Sequence, residues 1–216
     1  MSEPSAADHA YEALRRDILS GTLPGGARLK EQALAKTLGL SRTPVRDALN
    51  RLVHEGFAER GPGYSTRVTE FSDDELAQIF ELRAMLEGYA ARRAATHATA
   101  DEIARLHTLA EAMSAKTPPS SADDFSALAR ANEAFHATIH EAARSPRLSI
   151  LMATVIEVGL VARTYRTYSP RDLIRSAAHH HEIADAIAAR RPEWAQSAMV
   201  SHVLAARSSI GEPAAR

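Results

Sequence analysis

The chain of 216 residues contains no cysteine, which excludes disulfides and every thiolate metal or redox site. Aromatic residues make up only 5%, so small and aliphatic side chains must fill the core. No apolar run approaches the roughly 20 residues that cross a bilayer. The opening MSEPSAADHA is polar and lacks the apolar stretch of a signal peptide. A cytoplasmic protein without a membrane partner is expected. Internal repeats and low-complexity tracts are also missing. What is present is 45% apolar residues, with abundant Ala, Leu, Arg and Glu, a mixture that favours helix. The net charge of −1 argues against non-specific polyanion binding by the whole chain, but the charge is uneven. Between Arg28 and Val68 there are 8 Lys/Arg against 4 Asp/Glu, while the remainder carries 18 against 23. A basic N-terminal segment joined to an acidic remainder suits local contact with DNA.

Tyr11, Leu14, Ile18 and Leu19 recur at helical spacing, predicting an amphipathic helix over about 8–20. Gly21 ends it, and LPGGARL reads as a turn. A second helix is expected over about 30–38, with Gly39 as its break. A third starts after Ser41, which is placed to cap it, accepts Pro44 in its first turn, and runs to Gly56. FAERGPGYSTRVTEF then reads as two short strands around a Gly/Pro turn. Two helices joined by a tight turn and followed by a β-wing form a DNA-reading layout. Arg42 and Arg46 lie four residues apart, on one face of the N-terminal end of the third helix. Their forked donors fit guanine O6 and N7. Ser41 and Thr43 suit phosphate beside the helix N-terminus, and Arg67 and the wing glycines, Gly63 among them, suit the backbone or minor groove.

The stretch YEALRRDILSGTLPGGARLKEQALAKTLGLSRTPVRDALNRLVHEGF resembles the winged helix-turn-helix of GntR-family bacterial transcription regulators over about residues 9–69. The resemblance implies DNA contact from Arg42, Thr43 and Arg46, with Ser41 on phosphate. Gln32 stands where some relatives carry a basic DNA-contacting residue, and the wing RGPGYSTRV is slightly longer than the common pattern.

From Ser72 the chain reads as helix after helix, over about 73–97, 100–115, 122–144, 147–168, 170–190 and 192–210. Capping boxes at Ser72–Glu75 and Thr99–Glu102, and prolines after Ser145, Ser169 and Arg191, mark the starts. The expected fold is mainly α: a winged helix-turn-helix of three helices plus a small β-wing over 1–70, then an antiparallel all-α bundle of about six helices over 71–216. Asn132 and His136 share the face of Leu128, Phe135 and Ile139. His180 shares a stripe with Ile183 and Ile187, and His202 one with Ala198 and Met199. Three helices thus turn a histidine inward, a donor set for Zn, Ni or a similar divalent ion. Spacing alone does not separate His179 from His180. His140 lies one turn beyond His136, and His97 and His107 fall outside the cluster. Arg83 lies on the inward stripe of its helix and needs a partner there, such as the acid Glu87. Arg92–Arg93 and Arg190–Arg191 read as solvated helix ends.

ELRAMLEGYAARRAA, ANEAFHATIHEAARSPRL and HHHEIADAIAARRPEWAQSAMVSHV resemble the effector-binding (FCD) domain of the FadR-type branch of the same family, in its VanR-like subgroup. The resemblance implies a divalent metal on Asn132, His136, His180 and His202, Asn132 standing where relatives carry Asp. It also implies an organic-acid effector whose carboxylate is held with the help of Arg83, with Tyr165 and Arg163 or Arg166 lining the cavity. The expected function is a homodimeric, metabolite-responsive regulator, a repressor on a palindromic double-stranded operator, and not an enzyme. Two alternatives use the same histidines: a metal-dependent hydrolase or lyase, and a metal sensor.

Overall fold

The computed structural model describes residues 5–19, 21–61, 63, 65–155 and 168–209. Among them, contacts divide the chain into two compact units, one ending at Ser72 and one beginning at Asp73.

In the first unit, α1 (Ala6–Leu19) buries Ala10, Tyr11, Leu14 and Ile18, spaced three to four residues apart along one face. That face packs on α3 (Arg42–His54), which contributes Val45, Ala48, Leu49 and Leu52. Between them in sequence is α2 (Glu31–Leu38), anchored by buried Ala35. The α2–α3 turn depends on Gly39, whose φ of 66° is left-handed, and the amides of Gly39 and Leu40 return to the carbonyls of Lys36 and Ala35. This closes the open end of α2 where a side-chain-bearing residue would be strained. Ser41 occupies the N-cap position of α3 with extended backbone, but its side chain makes no capping hydrogen bond. The capping role expected of it is therefore not realised.

β1 (Ala58–Arg60) and β2 (Thr66–Val68) pair antiparallel, with Ala58 opposite Val68 and Arg60 opposite Thr66. The segment expected to be only a turn does more. Gly26 donates to the Val68 carbonyl at 2.9 Å, Leu29 to the Thr66 carbonyl at 2.8 Å, and Arg28 bridges to Arg67. Residues 26–29 thus line the second edge of β2, and Leu29 is buried beneath. Arg60 ties the wing to α3 by donating to Asn50.

The second unit holds α4 (Asp73–His97), α5 (Ala100–Ala115), α6 (Ala122–Ala142), α7 (Pro146–Val155), α8 (Pro170–Ala188) and α9 (Pro192–Ser208). Their starts follow local chemistry. Thr99 with Glu102 and Ser169 with Asp172 form reciprocal capping boxes, and Ser121 accepts from the Asp124 amide. The second part of the helix expected over 147–168 lies outside the described residues. No described helix is long and apolar enough to cross a membrane.

The central element is α4, packed on α6, α7, α8 and α9. Half of its buried residues are alanine (Ala84, Ala90, Ala91, Ala94, Ala95), which lets neighbours approach closely. At Gly88 a β-carbon would lie 2.7 Å from Cγ2 of Val200 on α9, so the glycine is needed for this close approach. Larger side chains fill the rest: Phe80, Leu106, Leu128, Phe135, Ile139, Ile183 and Ile187 are all fully buried. The arginines expected to be solvated at helix ends are partly engaged. Arg93 donates to the Ala143 carbonyl at 2.7 Å, closing the C-terminus of α6, and Arg190 donates to the Ala95 carbonyl at 3.4 Å. Arg92 pairs with Glu193 at 3.0 Å.

Candidate functional site

Two groups of side chains stand out, one in each unit. In the first unit, Arg42 and Arg46 project from the opening turns of α3 with 63% and 52% of their side chains exposed. They converge on one carboxylate. Glu31, the first residue of α2, accepts from Nε and Nη2 of Arg46 at 3.1 Å each and from Nη2 of Arg42 at 3.2 Å. Hydrogen bonding to Arg46, joined by that to Arg42, holds the Glu31 carboxyl below its ordinary range against the opposing effect of desolvation. Arg28, Lys30, Gln32 and Ser65 join them in lining an open groove of about 460 Å³. Thr43 and Ser41 are exposed beside it. Arg67 lies on β2, half-exposed, paired with Glu59 at 2.6 Å. Gly63 is exposed at the wing tip with φ 70°. The result is a basic, solvent-facing surface around a helix N-terminus. Sequence reasoning missed the role of Glu31, whose signal was a lone acid within a basic stretch.

In the second unit, His136 of α6, His180 of α8 and His202 of α9 are buried, and each offers a ring nitrogen within 4.8 Å of the other two. The ring centroids of His180 and His202 are 4.5 Å apart, those of His136 and His202 5.4 Å. His179 is half-buried and outside this trio; its ring lies 5.9 Å from that of His202. His181 points to Ser114 of α5 at 2.9 Å. His97 is exposed, and His107 is half-buried near Asp185.

Hydrogen bonds fix the protons of two rings. The Ser176 carbonyl can only accept, so Nδ1 of His180 donates to it at 2.7 Å and Nε2 carries a lone pair. Burial, and then the neighbouring His136, push the His180 pKa down to about 3, so this ring stays neutral. Facing that lone pair at 3.1 Å is Oδ1 of Asn132, another acceptor. Turning the Asn132 amide so that its NH₂ donates would satisfy the pair, and so would a cation bound by both atoms. His136 donates from Nδ1 to the carboxylate of Glu87, which leaves Nε2 for the trio. A carboxylate–histidine pair of this kind orients a metal-binding ring. His202 is held neutral, chiefly by burial, and its buried Nδ1 has no hydrogen-bond partner. An acceptor facing an acceptor, an orphaned ring nitrogen and a carboxylate-backed imidazole fit a divalent cation of the Zn or Ni class.

Glu87 is the residue that sequence reasoning underrated. It is wholly buried, accepts from Nε of Arg83 at 2.8 Å, and also receives His136. Burial opposes its ionisation, but Arg83 and His136 outweigh burial and hold its carboxyl far below the ordinary range. Arg83, 5% exposed, also lies over the Phe80 ring. Of the two partners open to Arg83, the structure shows the acid one turn away. His140, one turn beyond His136, joins Glu87 and His136 in a second close group. Burial lowers its pKa to about 4, and its Nε2 is unpartnered. Arg163, Tyr165 and Arg166 lie outside the described residues.

Comparison with known proteins agrees with both halves. Residues 6–68 match the family described as bacterial regulatory proteins, gntR family, and residues 78–205 match the FCD domain. The chain belongs to the GntR family. It carries the FCD domain of that family's FadR-type branch, and it is a transcription regulator and not an enzyme, which removes the hydrolase or lyase alternative. This GntR protein is 30% identical over 208 residues to the "Probable D-xylose utilization operon transcriptional repressor" of Paenarthrobacter nicotinovorans, covering 95% of the chain and 88% of the relative. It is 28% identical to the regulator McbR of Escherichia coli strain K12 over 182 residues, 83% of the chain and 81% of McbR. The solved structure of E. coli McbR/YncC superposes with a TM-score of 0.70 at 24% identity, over 93% of this chain and 94% of that one. A GntR regulator from Rhodococcus sp. RHA1 gives 0.68 at 22% identity, over 99% and 100%. These two share the fold.

Proposed function

We propose that the chain is a homodimeric repressor whose hold on a palindromic operator is set by a small organic acid, bound beside a divalent metal in the helical unit. Residues 1–70 supply the DNA-binding domain and 71–216 the effector-binding and dimerisation domain. Arg42 and Arg46 read guanine, Thr43 and Ser41 meet the backbone at the N-terminus of α3, and Gln32, Gly63 and Arg67 complete the contact. A single winged module makes few base contacts, so a two-fold dimer on paired half-sites supplies affinity. The metal is held by His136, His180 and His202, with Asn132 in a fourth position. Bound there, it would supply a Lewis-acid site for a carboxylate, and Arg83, whose charge is shared with Glu87, would add a hydrogen-bond donor. The effector acts by binding two states of the protein with different affinity.

The observation that carries the reading is the pairing of an exposed Arg42/Arg46 surface with a buried histidine trio in one chain. Replacing both arginines by alanine should abolish selective DNA binding, each contact being worth roughly 1–3 kcal/mol of discrimination. Unchanged selectivity in the double variant would refute it. A metal sensor is the second reading, favoured by the buried, neutral state of His180 and His202. Operator titrations with zinc or a chelator, and no organic acid, separate the two. A metal that alone changes operator affinity makes the ion itself the effector.

A further inference from the structure

Glu31 is an odd residue in a surface that meets a polyanion. Its side chain, 23% exposed, lies among Arg28, Lys30, Arg42 and Arg46. A carboxylate there repels phosphate, so its presence calls for a compensating role. Its contacts supply one. Arg46 offers two forked edges for planar acceptors, one formed by Nε and Nη2 and one by the two terminal nitrogens. Glu31 occupies the first edge with both of its oxygens at 3.1 Å, and its Oε2 also takes Arg42 at 3.2 Å. The terminal edge of Arg46 stays available, and it is the edge that can meet O6 and N7 of a guanine end-on. Two long, exposed side chains from consecutive turns of α3 are thus pinned to the start of α2 before DNA arrives. An exposed one-to-one ion pair contributes little. Here a single carboxylate bridges two guanidinium groups across the helix-turn-helix.

We propose that Glu31 is a specificity-determining positioning residue: it gathers Arg42 and Arg46 at the start of α2 in one fixed arrangement, so that they read guanine instead of settling on phosphates. The proposal rests on the DNA-binding reading of this surface. It demands effects of opposite sign from one change. In Glu31→Gln the charge that repels phosphate is lost and the bridge is weakened. Sequence-independent binding should rise while base discrimination falls.

The test uses the full chain. A randomised duplex library is selected with the wild type. The enriched duplex, its single-base variants and a random-sequence duplex are then titrated against wild type, E31Q and the R42A/R46A double variant over a range of salt concentrations. For E31Q, preference for guanine over other bases at the arginine-read positions should fall roughly tenfold. Affinity for the random duplex should be equal or higher, with a salt dependence steeper by up to about one phosphate contact. Circular dichroism melts check that the variant is folded. Unchanged discrimination in E31Q overturns the proposal, and so does a parallel loss of specific and random-duplex binding, which marks a merely structural role. If the wild type enriches no duplex, or R42A/R46A binds the enriched duplex with unchanged affinity and discrimination, the DNA-binding reading itself fails and takes the proposal with it.

Discussion

Arg83 and Glu87, one turn apart on α4, form an ion pair almost sealed from water: Nε and Oε1 are 2.8 Å apart, with 5% and 0% of the side chains exposed. Removing one member leaves the other charge buried and unpaired. Glu87→Ala should therefore cost about 3–5 kcal/mol in chemical denaturation of the metal-free protein. Replacing both by apolar residues of similar size, as in R83M/E87L, should recover most of that loss. A Glu87→Ala protein as stable as wild type would mean that Arg83 reaches water or another acid.

Acid should destabilise the metal-free protein well above the range where carboxylates titrate. His140 and His180 are held neutral when folded, with pKa values lowered to about 4 and about 3 from 6.5. The unfolded chain takes up protons below pH 6.5 that the folded chain refuses. Stability from these groups is complete above that pH and falls as pH drops toward 4 and then 3. The slope should be about 1.4 kcal/mol per pH unit for each histidine kept neutral. Denaturation at half-unit steps from pH 7.5 to 4.5 measures it, and a flat profile would show these rings protonated in the fold.

Metal loading should raise the melting temperature through the trio. Zinc or nickel added to tag-free protein stabilises by mass action if it binds the folded chain and not the unfolded one. His136→Ala should remove that gain, since it deletes one ring of the trio. Elemental analysis of wild type and variant gives the independent count.

Gly88 and Gly39 should respond to alanine for different reasons. At Gly88 a new β-carbon would meet Val200 at 2.7 Å, so overpacking should cost about 1–3 kcal/mol. Val200→Ala should relieve part of it in a double-mutant cycle. At Gly39 nothing lies within 4 Å, but φ is +66°, so the cost is conformational, about 1 kcal/mol. Gly39→Asn should be milder than Gly39→Ala, because asparagine tolerates the left-handed region.

The bundle's helix starts were legible because they are local. Thr99 and Glu102 form the capping box that their three-residue spacing announces, and Pro170 and Pro192 sit in first turns. The inward histidines were legible from helical periodicity. What escaped depends on partners distant in sequence. Residues 26–29 look like part of a turn because Pro24 and Gly25 precede them and Gly26 opens them, yet the amides of Gly26 and Leu29 pair with β2 some forty residues on. Arg93 looks like a solvated helix residue until the end of α6 presents the Ala143 carbonyl. Ser41 has the right residue type and backbone for a cap, but the capping hydrogen bond is missing. Helical spacing alone left His179 and His180 level; beside α6 and α9, it is the His180 ring that lies buried with those of His136 and His202.

The strap of residues 26–29 also bears on how copies of the protein avoid sticking together. An open strand edge is a template for a foreign strand, and two-stranded wings are short of hydrogen-bonded neighbours. Here β2 is flanked by β1 on one side and by the strap on the other. Of the two described strands, β1 keeps an outer edge, and it is three residues long and carries Glu59 and Arg60. Short length and charge discourage edge-to-edge zipping, so the wing can stay a single hairpin even where many copies crowd together.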